Sequence, residues 1–78
     1  MTVEQIKELY NGCDQNWSAV ALELAIPVAE LTAKGDEYGA NKVDQENLTT
    51  FRTAMLESGV PEDIVEEYLE EYAWNTLK

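Results

Sequence analysis

A chain of 78 residues, 45% of them hydrophobic, is long enough for one domain and too apolar for a disordered acidic tail. At this length folding buries only about 60% of the extended chain's surface, so one small core is expected. Sixteen acidic against five basic side chains leave a net charge of −11, which repels nucleic-acid phosphates and anionic membranes, and the absence of histidine removes the commonest general base and transition-metal ligand.

No run of about 18 apolar residues is present, and Met1 to Glu8 lacks the basic and apolar regions of a signal peptide, so a cytoplasmic location is expected. The single cysteine, Cys13, cannot form an intrachain disulfide. It falls on the apolar face of the first helix and reads as a small buried hydrophobe.

In chain order, Thr2-Val3-Glu4-Gln5 has the pattern of a capping box. Val3, Ile6, Leu9, Tyr10 and Cys13 then recur at helical spacing up to Gly12, predicting a helix over residues 3–12. Asp14 or Asn16 can cap a second helix from Trp17 to about Leu24, with Trp17, Val20, Ala21 and Leu24 on one side. Ala25-Ile26 is read as a break, with Pro27 opening a third helix that ends at Gly35.

The stretch Gly35 to Lys42 holds two glycines and shows neither helical nor strand periodicity, so the longest loop is placed at about 35–43, with Tyr38 exposed in it. Asp44 can cap a helix over 45–58 that turns Leu48, Phe51, Ala54 and Met55 inward and stops at Gly59. Pro61 opens the last helix, which runs through Glu62-Asp63 to about Asn75. The expected fold is all-α, one domain over 1–78, a compact bundle of four or five short helices.

The last helix carries the most distinctive pattern. At 100° per residue Ile64, Val65, Tyr68, Leu69 and Tyr72 share one arc, while Glu62, Asp63, Glu66, Glu67, Glu70 and Glu71 occupy the other half with no Lys or Arg among them. Like charges at i,i+4 each cost a few tenths of a kcal/mol, and Glu70 and Glu71 oppose the negative end of the helix dipole, so local stability does not account for them. Six charges over about 13–14 Å approach the linear charge density of duplex DNA, about one per 1.7 Å. A Lys- and Arg-lined groove built for nucleic acid is therefore a fitting partner. Trp74, whose angle falls near the acidic side, together with Tyr38 and Trp17, adds candidate contacts.

Trp17-Ser18-Ala19-Val20-Ala21-Leu22-Glu23-Leu24-Ala25-Ile26-Pro27-Val28-Ala29-Glu30-Leu31 resembles a helix-turn-helix unit of bacterial and phage regulators, placed at about 16–35. The resemblance implies buried Val20, Leu24, Ile26 and Leu31, with Ala21 as the small residue at the helix contact; the turn position usually held by Gly is Ala25 here. The implied reading positions, Pro27, Val28, Ala29, Thr32, Ala33 and Asp36, offer none of the Arg, Lys, Asn or Gln side chains that read bases, and only Lys34 supplies a nearby cation. In size, charge and all-α character the chain is also similar to small acidic proteins of phages and mobile elements, including anti-CRISPR and anti-restriction inhibitors that occupy nucleic-acid sites.

Other chemistries lack their motifs. An acyl carrier needs an Asp-Ser-Leu-type motif, and neither Ser18 nor Ser58 sits in one. The Asp36 to Asn47 stretch has EF-hand length but places Tyr38 and Ala40 where oxygen ligands are needed and Asn47 at its last position. A column of carboxylates on a convex helix is not a glycosidase cleft. The expected function is a non-enzymatic, cofactor-free and metal-free inhibitor or adaptor that mimics DNA. Its expected partner is the basic surface of a nucleic-acid-binding protein such as a CRISPR effector, restriction enzyme or polymerase, with no direct nucleic-acid or membrane contact. The alternative is a helix-turn-helix-derived regulator acting through protein contacts at Val28 and Ala29.

Overall fold

A computed structural model describes residues 1–77. They form four helices, α1 Val3–Gly12, α2 Trp17–Ala33, α3 Glu37–Glu57 and α4 Glu62–Thr76, packed as a small all-α bundle. None of these helices is long and apolar enough to cross a membrane.

The first helix starts as its sequence predicts. Gln5 N–H donates to Thr2 Oγ1 at 3.2 Å and Thr2 N–H donates to Gln5 Oε1 at 2.8 Å, closing the capping box. The helix ends by a reversal through Asp14 and Gln15, both left-handed at φ 56° and 58°, with Gln15 N–H returning to the Tyr10 carbonyl at 2.9 Å. Asn16, not Asp14, then caps α2 by accepting from Ser18 N–H at 2.9 Å. Cys13 lies at the end of α1, half-buried against the core.

The helix-turn-helix reading does not hold. Ala25 and Ile26 are helical, and α2 runs unbroken through Pro27 to Ala33. The reason is the phase of its apolar face: Trp17, Val20, Ala21, Leu24, Ala25 and Val28 recur at i, i+3, i+4, i+7, i+8 and i+11, and all six are buried. Only a continuous helix keeps Val28 on that face. Pro27 deprives the Glu23 carbonyl of its N–H partner, but both residues lie on the exposed side, where water can serve that carbonyl. Ile26, expected inside, is 42% exposed, Leu31 is half-buried, and Lys34 is exposed. Burial of Val28 also removes it from the apolar docking surface assigned to it with Ala29.

The loop expected at 35–43 is likewise replaced by helix. Lys34–Asp36 alone connect α2 to α3, with Gly35 at φ 82° making the turn. Asp36 caps α3, its Oδ1 accepting from Gly39 N–H at 2.9 Å. A Cβ on Gly39 would lie 2.3 Å from Asp36 Oδ2, so this glycine makes room for the folded-back cap and does not mark a loop. Asp44, expected as a cap, lies inside α3.

One aromatic ring from each helix joins a line of contacts through the core. Tyr10 of α1 stacks on Trp17 of α2 at 3.9 Å between centroids, Trp17 meets Phe51 of α3 at 6.0 Å, and Phe51 meets Tyr72 of α4 edge-on at 6.3 Å. Trp17 is thus a core residue, 6% exposed, and not a contact for a partner. Ala21, Ala25 and Ala54 are buried in the same core, where small side chains leave room for close helix packing.

The α1–α2 reversal generates a stability prediction. Gln15→Gly is expected to stabilise the fold by about 0.5–1 kcal/mol, the left-handed penalty less the added unfolded-state entropy of glycine. A higher urea midpoint at unchanged slope is the expected reading, and an unchanged or lower midpoint counts against the strain.

Candidate binding face on the last helix

A buried chain of hydrogen bonds sets the rotation of α4. Asn47 of α3, 3% exposed, donates through Nδ2 to the Leu24 carbonyl of α2 at 2.9 Å and to the Tyr72 hydroxyl at 3.3 Å. The Tyr72 hydroxyl in turn donates to Asp44 Oδ1 at 2.8 Å. A buried amide or phenol left unpaired costs about 1–3 kcal/mol, so this chain holds three helices to one mutual arrangement. Among the described residues no buried side-chain nitrogen or oxygen lacks a partner. Burial pushes the Tyr72 phenol far above its ordinary value of 10; the bond from Asn47 works against that rise, and the neighbouring Asp44 carboxylate adds to it.

With Tyr72 and Val65 turned inward, the apolar arc of α4 faces the core as the sequence indicated, with Ile64, Tyr68 and Leu69 half-buried beside them. The six carboxylates do not share one environment. Arg52 of α3 reaches across to pair with Glu62 at 3.8 Å and with Glu66 through a charge-assisted hydrogen bond. Glu71 is half-buried and accepts from Ser18 Oγ of α2 at 2.9 Å. Asp63, Glu67 and Glu70 are exposed and take no salt-bridge partner among the described residues. The uninterrupted double column of the sequence is therefore half engaged by the fold itself. Arg52 was invisible to a reading of α4 alone, because its contacts cross between helices ten and fourteen positions apart.

Trp74 stands on the outer side of α4, 68% exposed, as its helical angle indicated. Leu77, just past the helix end, is 78% exposed, and the two form a shallow groove of about 190 Å³ with Ala73 and Glu70. Tyr38 is 82% exposed but belongs to the first turn of α3, so it does not extend this face along α4. No group of three or more His, Cys, Asp or Glu side chains among the described residues is placed to hold a metal ion.

No family model, curated protein or solved structure matches the chain.

The buried phenol gives a pH prediction. Below about pH 10 Tyr72 is neutral folded and unfolded and adds no pH dependence; above it the unfolded chain loses the proton first, so stability falls as pH climbs toward the raised folded value. Tyr72→Phe is expected to cost about 1 kcal/mol at neutral pH and to flatten the alkaline loss in urea unfolding. An alkaline profile as steep as that of the parent would show that the phenol stays accessible.

Proposed function

We propose that the chain is a non-enzymatic inhibitor or adaptor that presents the outer face of α4 to a basic, nucleic-acid-binding surface of another protein, as a mimic of DNA. The observation that carries this reading is the exposed row Asp63, Glu67 and Glu70, whose charges the fold leaves uncompensated among the described residues. Glu62, Glu66 and Glu71 flank that row and add to its field even while held by Arg52 and Ser18.

Charge of this density steers a basic partner toward the helix and repels nucleic acid competing for the same surface. The phage-type inhibitor resemblance, including the anti-CRISPR and anti-restriction class, agrees with this reading through size and charge. The regulator alternative loses its support, because its supposed turn is helical and Val28 is buried.

The test is capture from a bacterial lysate by the immobilised chain and by its triple variant Asp63→Lys, Glu67→Lys, Glu70→Lys. Expected is retention, by the parent only, of a nucleic-acid-binding protein that duplex DNA elutes. Equal retention by the variant, or bound protein indifferent to DNA, would assign the binding elsewhere.

A further inference from the structure

Four of the exposed residues of α4, with Leu77 at its C-cap, form a single stripe. Asp63, Glu67, Glu70, Trp74 and Leu77 are spaced by four, three, four and three, which keeps them within an arc of about 80° over about 21 Å of helix. The stripe is anionic for three positions and apolar for the last two. Trp74 and Leu77 are among the most exposed large hydrophobic side chains of the protein, and the groove between them is wide enough for an aliphatic side chain.

We infer that Trp74 and Leu77 are an apolar anchor by which the chain selects one kind of basic protein surface: a row of cations that ends, about one helical turn on, in an aliphatic side chain seated in this groove. The inference rests on α4 being the binding face and adds the chemistry of the partner. Charge complementarity fixes the occupant. A second copy docked along the whole stripe would set one row of Asp63, Glu67 and Glu70 against another, one docked at Trp74 and Leu77 alone would leave both rows unanswered, and a nucleic acid or anionic membrane approaching Trp74 would meet Glu70 within the same groove. A basic protein segment satisfies both halves of the stripe. Trp is enriched among the few interface residues that carry most of the binding energy, while surrounding charges set rate and orientation.

Two 15-residue helical peptides test this with the intact protein. One carries lysines along a single face with a pair of leucines at one end; the other replaces those leucines with alanine. Trp17 is already buried and stacked on Tyr10, so a blue shift of emission reports Trp74 entering an apolar contact. At about 0.15 M salt the parent is expected to bind the leucine peptide about ten-fold more tightly, with the blue shift, and the alanine peptide without it. In Trp74→Ala, a substitution at an exposed position, the preference is expected to vanish while affinity for the alanine peptide is unchanged.

Equal affinity of the parent for both peptides, an undiminished preference in Trp74→Ala, or binding of neither peptide overturns the anchor. Equal, salt-sensitive binding of both leaves the charge reading standing without it. Conversely, a retained leucine preference alongside capture that is indifferent to duplex DNA would keep the anchor and remove the mimic.

Discussion

The Asn47 amide is the interaction on which the arrangement of this protein turns. It is buried, it spends both its donors, and its partners belong to two other helices: the Leu24 carbonyl of α2 and the Tyr72 hydroxyl of α4. An apolar core of this size tolerates many side-chain rearrangements, but a buried amide accepts only those that pair it. By fixing Tyr72 inward it also fixes what lies opposite on α4. Asp63, Glu67, Glu70 and Trp74 face solvent because Tyr72 and Val65 cannot.

The rest of the core supports that geometry. Tyr10, Trp17, Phe51 and Tyr72 form a line of ring contacts with one member from each helix, and the buried Ala21, Ala25 and Ala54 belong to the same core. α2 contributes most because it is long enough to bury Trp17 at one end and Val28 near the other. A break at Ala25 would separate those anchors and leave Val28 without a face to join. Packing along the whole helix thus outweighs the local cost of an interior proline, about 3 kcal/mol in an isolated helix.

Local signals were legible where the chemistry was local. The Thr2–Gln5 capping box, the Asn16 cap, the stops at Gly35 and Gly59, and the inward arc of α4 all appear where the residue pattern indicated. The two misplaced elements came from treating proline and glycine as punctuation. At Pro27 the in-phase apolar residues on either side already argued for one helix, and at Gly39 the preceding Asp36-Glu37 pair was the start signal. The pairing of Arg52 with Glu62 and Glu66, and the relay through Asn47, join residues distant in the chain; no spacing rule applied to one helix reveals them. Trp17 and Trp74 were both candidate contacts, and helical phase already separated them: Trp17 is in register with the buried face of α2, and Trp74 lies away from the buried arc of α4.

The bundle orients α4 so that Asp63, Glu67 and Glu70 face solvent with no salt-bridge partner among the described residues, which is the feature the proposed competition with nucleic acid requires. The most direct measurement is a gel shift with labelled duplex DNA, a nucleic-acid-binding protein retained by the immobilised chain, and increasing amounts of this chain. The expected result is that DNA is released from the captured protein as the chain is added, while the chain alone leaves the duplex unshifted. A duplex shifted by the chain itself, or a protein–DNA complex that persists in its presence, would contradict the mimic.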